Sequence, residues 1–182
     1  MNINVYTEST PNPATMKFIV NKLLINGSAD YPSKASAENS PFAKELYKFS
    51  FVNGVFFASN FVTVTKTEGT EWDDIEAILK EFVKGAVESE LKVKLEEHTP
   101  VTFEGTEAEV KIQQILEDYV RPAVEQDGGA IHYKSFEDGV VTVELRGSCS
   151  GCPSSTVTLK AGIENLLKRM VPEVVSVESE AM

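Results

Sequence analysis

Four punctuation points cut the second half of the chain into pieces too short for anything but a small mixed domain. Asp127-Gly128-Gly129, Glu137-Asp138-Gly139, the run from Gly147 to Pro153, and Pro172 each hold a residue that accepts positive φ or cannot continue a helix. Ahead of them, Thr106-Glu107-Ala108-Glu109 has the pattern of a capping box, with Thr106 accepting from a first-turn N–H and Glu109 reaching back. Ile112, Ile115, Leu116, Tyr119, Val120 and Val124 then recur at helical spacing and predict one buried stripe, loosened near its end by Pro122. Strands are expected over 130–136 and 140–146, joined by an Asp138-Gly139 hairpin turn. In the second strand Val141, Val143 and Leu145 should face the core, and Thr142, Glu144 and Arg146 the other side. A helix from near Pro153 puts Leu159, Ile163, Leu166, Leu167 and Met170 on one face and stops at Pro172, after which 173–179 makes a last strand. The order is α-β-β-α-β.

The first half reads as another small α+β unit. Strands are expected over 2–7 and 16–24, broken by Pro11 and Pro13, and the polar stretch 26–40 as a loop. Ser40-Pro41 is a cap followed by proline at the first helical position, opening a short helix through Tyr47. Asn53-Gly54 reads as a turn before paired strands at 55–59 and 61–66. A helix over 72–89 carries Ile75, Ile78, Leu79, Phe82 and Val83 inward, with Trp72 as a core or cap-packing residue at its start. The fold class is therefore α+β: one small domain over 1–90 and another over 106–182, joined by a short linker at 91–105, where periodicity lapses and Pro100 and Gly105 occur.

Charge narrows the partners. The chain carries a net charge of −11, split as −4 up to residue 90 and −7 after it. Binding a phosphate backbone calls for clustered Lys and Arg, and no such cluster is present, so nucleic acid and anionic membrane are disfavoured. No apolar run approaches the roughly 20 residues that span a bilayer. The opening MNINVYTEST has neither the basic and apolar regions of a secretory signal nor the Arg-rich character of a transit peptide, so a cytoplasmic location is expected.

The chemistry concentrates in RGSCSGCPSS, residues 146–155, which holds Cys149 and Cys152, the chain's 2 cysteines. Two cysteines this close make no disulfide framework. Between a strand end and a helix start, the helix dipole and unpaired N–H groups favour thiolate over thiol. Gly147 and Gly151 let backbone approach the sulfurs, and the flanking serines suit a loop presenting two thiolates outward rather than a packed core. Such a pair serves a thiol–disulfide oxidoreductase, a zinc module or an iron–sulfur site. The oxidoreductase reading is weakened because a hairpin, not a βαβ unit, leads into the motif and no aromatic flanks it. Zinc and iron–sulfur sites commonly take four ligands, and this pair supplies half. His98 and His132 read as ordinary surface histidines. A symmetric homodimer completes a four-thiolate set, which suits Zn²⁺ or a [4Fe–4S] cluster alike.

A longer pattern decides among these. Arg121-Pro122, Asp127-Gly128-Gly129, Gly147-x-Cys149-x-Gly151-Cys152-Pro153-Ser154-Ser155, Thr158-Leu159-Lys160 and Gly162-Ile163-Glu164 together resemble the C-terminal NifU domain of Nfu-type iron–sulfur assembly proteins. TESTPNPATMKF (7–18), SPFAKELYKFSFVNGVFF (40–57) and VTVTKTEGTEWDDI (62–75) resemble the Nfu N-terminal domain. The resemblance implies a non-enzymatic scaffold or carrier, with Cys149 and Cys152 of two subunits holding a bridging [4Fe–4S] cluster that passes to apo-proteins, and an upstream scaffold as a further partner. Ala130 departs from the acidic residue common in the family at that place, which removes any carboxylate role there. The extra cysteines of longer NifU proteins are absent too, which favours carriage over assembly with a desulfurase. The cysteine-free first domain is read either as a folded accessory or as a client-docking module acting through residues 40–57.

Overall fold

A computed structural model describes residues 2–93, 103–150 and 153–180, with the side chains of 153–155 left aside. The chain divides into two compact units, Met1–His98 and Thr99–Met182.

The first unit is a five-stranded antiparallel sheet of order β1-β2-β5-β4-β3, from β1 (Val5–Ser9), β2 (Thr15–Val20), β3 (Ser28–Tyr31), β4 (Val52–Ala58) and β5 (Phe61–Lys66). Helices α1 (Pro41–Leu46) and α2 (Trp72–Glu88) pack on it. Ser40 caps α1 as expected, its side chain accepting from the Ala43 N–H at 3.1 Å with Pro41 behind it. From α2 the core receives Ile75, Leu79 and Val83, with Phe82 partly buried against it, whereas Ile78 turns outward at 48% exposure. Trp72 packs partly on the core, and its Nε1 donates to the Pro13 carbonyl at 3.0 Å, tying the helix start to the proline turn.

Three expectations change in this unit. The stretch 26–40 contains a strand, because Ala29 and Tyr31 alternate inward once β4 is there to pair with. Asn53-Gly54 is no turn: β4 runs through it with a register shift between Val52 and Gly54, where a Cβ on Gly54 would stand 3.0 Å from the Thr65 hydroxyl. The hairpin between the two strands expected at 55–59 and 61–66 turns at Ser59-Asn60, with Ser59 at φ 46. Within residues 40–57, Phe42, Ala43, Leu46, Val55 and Phe57 are all at 1% exposure or less and belong to the core, while Lys44, Lys48, Ser50 and Asn53 are exposed. The unit also continues past residue 90. Val93 is buried, its carbonyl accepts from the Tyr31 hydroxyl at 3.0 Å, and the Lys92 carbonyl accepts from the Phe42 N–H at 3.1 Å. Most of the linker expected at 91–105 lies outside the described residues.

The second unit has the expected order. A long helical segment, α3 (Glu107–Ile115), a π turn (Leu116–Val120) and α4 (Arg121–Gln126), leads to β6 (Gly129–Glu137), β7 (Val140–Gly147), α5 (Pro153–Met170) and β8 (Ser176–Glu180). The capping box closes from both sides, with the Thr106 N–H on Glu109 Oε2 at 2.7 Å and the Glu109 N–H on Thr106 Oγ1 at 3.4 Å. Pro122 has no N–H and its ring crowds the carbonyl one turn back, and the helix widens so that the Arg121 N–H reaches the Leu116 carbonyl. Each residue in that wider turn advances less than the α-helical ~100°. The stripe then continues through Val120 and Val124, while Tyr119, expected inside, stands 60% exposed.

The hairpin turn lies at Asp138-Gly139, with φ of 49 and 82, both in the left-handed region that a two-residue primed turn demands. The sheet order is β6-β7-β8, antiparallel and then parallel, so β7–α5–β8 is a crossover unit. Its core joins Ile112, Val124, Val141, Val143 and Leu145 to Ile163 and Leu167 of α5. Each fully buried aliphatic side chain stabilises by roughly 1.5–3 kcal/mol relative to an exposed one.

Candidate metal centre

The end of β7 and the start of α5 bracket the cysteine loop. Parallel pairing of β7 with β8 explains the bracket, since the chain must leave the carboxyl end of β7, cross in α5 and return alongside. Gly147 turns the chain at φ 69, and Ser150 closes the turn, its N–H and hydroxyl both on the Gly147 carbonyl at 3.1 and 2.8 Å. The Thr156 hydroxyl donates to the Cys149 carbonyl at 3.3 Å, which ties the loop to the first turn of α5.

A second set of contacts ties the loop to Asp127-Gly128-Gly129. The Ser148 hydroxyl donates to the Asp127 carbonyl, and the Ser148 N–H to the Gly128 carbonyl at 3.3 Å. Gly129 pairs with Gly147 across the β6–β7 ladder. A Cβ on Gly129 would stand 2.7 Å from Cys149 Sγ and 2.7 Å from the Arg146 carbonyl oxygen. The glycine is thus the space in which the sulfur sits. Cys149 is 4% exposed and packs with the core of the unit. The expectation of two thiolates pointing outward is corrected for Cys149: the close approach of Gly129 lets its side chain fold inward. Cys152 lies outside the described residues, as does His98.

His132 is half-buried on β6, opposite Glu144 of β7. Burial, then the Arg146 charge, hold its imidazole below the usual histidine value. Glu144, expected on an open face, is buried, and accepts from Arg146 Nη2 at 2.9 Å with Lys134 Nζ at 3.6 Å. Burial pushes its carboxyl up, but the Arg146 hydrogen bond and the surrounding cations outweigh burial and leave it below the ordinary range. Among the described residues no group of three or more His, Cys, Asp and Glu side chains is placed to hold a metal ion. Sequence reasoning missed the role of Gly129. The only signal was a second glycine where a helix stop needs one.

Comparison with known proteins places this geometry in a family. Residues 112–178 match the model of the NifU-like domain, and residues 5–90 that of the scaffold protein Nfu/NifU N terminal. The chain is 42% identical to NifU-like protein 4, mitochondrial, of Arabidopsis thaliana, over 97% of this chain and 65% of that protein. It is 40% identical to the NFU1 iron-sulfur cluster scaffold homolog, mitochondrial, of Homo sapiens, over 96% of this chain and 70% of that protein. For the homolog of the same name from Drosophila erecta the identity is 38%, over 96% of this chain and 64% of that protein. The chain belongs to the Nfu/NifU family of iron–sulfur cluster scaffold proteins. It spans about two thirds of the length of these relatives, 64% to 70%. The cytoplasmic expectation is corrected, because these relatives are named as mitochondrial proteins and point to the mitochondrion instead. That expectation rested on the opening residues of the chain, whereas the relatives extend beyond the stretch they share with it.

Proposed function

We propose that this chain is a non-enzymatic iron–sulfur carrier that holds a [4Fe–4S] cluster between two copies, through Cys149 and Cys152 of each, and delivers it to apo-proteins. The observation that carries the reading is the ligand count. The chain has 2 cysteines, both in one loop, and a four-thiolate cluster needs twice that number. A second copy of the same loop about a two-fold axis supplies the rest. Membership of a family named for cluster scaffolds supports the same reading.

Incomplete ligation suits a carrier. Release exchanges this chain's thiolates for those of a client, thiolate for thiolate, so the cluster leaves with its electron count unchanged. The buried position of Cys149 adds a requirement: the 147–150 loop must turn the sulfur out from beneath Gly129 before it can coordinate iron. An upstream scaffold that loads the cluster is part of the same proposal.

Anaerobic incubation with iron and sulfide tests it. The expected product is a brown dimer with about one four-iron cluster, lost on Cys149→Ser or Cys152→Ser. A colourless monomer that keeps zinc in preference to iron refutes the reading. One observation favours a second reading, a thiol–disulfide oxidoreductase: β7–α5–β8 is a parallel crossover with the cysteine loop between its strand and helix, the βαβ context that the hairpin had seemed to deny. It predicts reduction of a small disulfide by the iron-free monomer.

A further inference from the structure

The chain holds two Asn-Gly pairs in nearly matched sequence, Ile25-Asn26-Gly27 and Val52-Asn53-Gly54. Both asparagines are exposed. The fold treats the peptide group that follows each of them in opposite ways. Asn26-Gly27 lies in the loop before β3, with Gly27 at φ 87. Among the described residues, neither the Asn26 carbonyl nor the Gly27 N–H makes a hydrogen bond, and the Asn26 side-chain amide makes none either. The loop is held on both sides of that peptide. The Leu24 and Ile25 N–H groups donate to the Ser59 carbonyl at 2.8 and 3.1 Å, and the Gly27 carbonyl accepts from the Ser59 N–H at 3.2 Å.

Asn53-Gly54 is locked by contrast. It runs inside β4, where Gly54 is buried opposite Thr65 and a Cβ on it would stand 3.0 Å from the Thr65 hydroxyl. The Asn53 carbonyl accepts from the Tyr47 hydroxyl at 3.4 Å. That peptide plane cannot turn without opening the sheet. The other asparagines precede residues whose side chains crowd the main-chain nitrogen or, at Asn12, a proline with no N–H. Ser40 is the smallest of those neighbours, and its N–H is already engaged by the Ala37 carbonyl at 3.0 Å.

We propose that Asn26 is a site of spontaneous deamidation in the folded chain, with water as co-reactant, and that the fold spares Asn53. The Gly27 nitrogen attacks the Asn26 side-chain amide carbon, and the new C–N bond closes a succinimide ring. The bond from that carbon to the amide nitrogen breaks, and ammonia leaves with the proton that the Gly27 nitrogen gives up. Water then opens the ring at either carbonyl. Cleavage at the side-chain carbonyl restores the main chain with aspartate in place of asparagine. Cleavage at the main-chain carbonyl leaves isoaspartate, in which the chain runs through Cβ and a free carboxylate hangs from Cα. One water is consumed for each ammonia released, and nothing is oxidised or reduced. Gly27 favours the attack because it puts no side chain in its path and lets the main chain swing. A new carboxylate, and in isoaspartate an added main-chain methylene, then lie in the loop that holds the Ser59-Asn60 turn. The isoaspartyl form is the substrate class of a protein carboxyl methyltransferase that reads that free carboxylate. This inference goes beyond cluster carriage and does not depend on it.

The test ages the full, cluster-free chain in warm, mildly alkaline buffer, once folded and once in urea, and follows tryptic peptides 23–34 and 49–66 by mass spectrometry. In the folded chain, Asn26 should gain one mass unit at least roughly tenfold faster than Asn53, which reacts only through local opening. In urea the two rates should converge, because the flanking residues match. The aged 23–34 peptide should split into two chromatographic forms. One of them should take up methyl groups from S-adenosylmethionine when an isoaspartyl methyltransferase is added as the probe. Asn26→Gln should remove the gain from 23–34 and leave Asn53 as slow as in the parent. The Cys149→Ser variant should deamidate as the parent does, so failure of the cluster reading leaves this result standing. Four outcomes overturn the inference: Asn26 intact in the folded chain, Asn53 reacting as fast as Asn26 there, a difference that persists in urea, or a single product with no methyl uptake.

Discussion

Gly129→Ala isolates the contact that shapes the cysteine loop. The residue is not at positive φ, so the added methyl acts through space alone. It would stand 2.7 Å from Cys149 Sγ, 2.7 Å from the Arg146 carbonyl oxygen and 3.1 Å from Cys149 Cβ. The sulfur can rotate away, but the Arg146 carbonyl belongs to the backbone of β7 and cannot. Overpacking of this kind costs about 1–3 kcal/mol. Loss of glycine's freedom in the unfolded chain gives back about 0.4–1 kcal/mol. The net is a loss of about 1–2 kcal/mol, which in a unit of this size lowers Tm by roughly 5–15 °C. Calorimetry measures it, and fluorescence of Trp72, the chain's 1 tryptophan, marks the transition of the first unit separately. The same methyl should push Cys149 outward, so in a Cys152→Ser background its thiol should react faster with a soluble disulfide reagent. An unchanged or raised Tm together with an unchanged thiol rate refutes the argument.

Gly85→Ala and Gly162→Ala are the matched opposites: both glycines are helical, a Cβ on either meets nothing within 4 Å, and each change should stabilise by up to about 1 kcal/mol in a denaturant melt. Leu167→Ala, at a side chain with 0% exposure, should cost about 2–5 kcal/mol and lower the urea midpoint without altering the slope. Thr106→Ala should cost about 1 kcal/mol by uncapping α3. Hydrogen bonds from the Thr106 backbone, then from its hydroxyl and Tyr133, hold the Glu109 carboxyl below its usual value of 4.5. Its contribution is thus complete above that value and fades as pH falls through the lowered one, so Glu109→Gln should flatten that part of the acid limb in a pH series of melts.

What was legible in the sequence was local. The Thr106–Glu109 box and the Asp138-Gly139 turn are fixed by side chains within four residues of each other, and they stand where the pattern puts them. The errors share a cause, which is that a partner elsewhere in the fold decided the outcome. Ser28–Tyr31 becomes a strand only because β4 offers an edge. Asn53-Gly54 has turn chemistry, but Thr65 uses the missing Cβ as a place to pack. Tyr119 falls on the apolar stripe of an ideal helix and leaves it in one distorted by Pro122. Glu144 alternates outward by period and is nonetheless buried, in company with Arg146 and Lys134.

The cysteine loop combines both kinds of information. Its position between strand and helix was legible, because Gly147 and Pro153 mark the two ends. The direction of Cys149 was not, because it depends on a glycine twenty residues earlier in the chain. That direction bears on function. A thiol at 4% exposure beneath Gly129 is shielded from solvent oxidants and from stray metal ions, which under the carrier proposal protects the chain while it holds no cluster. The ties that hold it include Ser148 to Asp127 and Gly128, Ser150 to Gly147, and Thr156 to the Cys149 carbonyl. Each is worth about 0.5–1.5 kcal/mol net. Under the carrier proposal, the two iron–thiolate bonds that each chain would supply have to offset these ties, and the loop then opens without unfolding the domain around it.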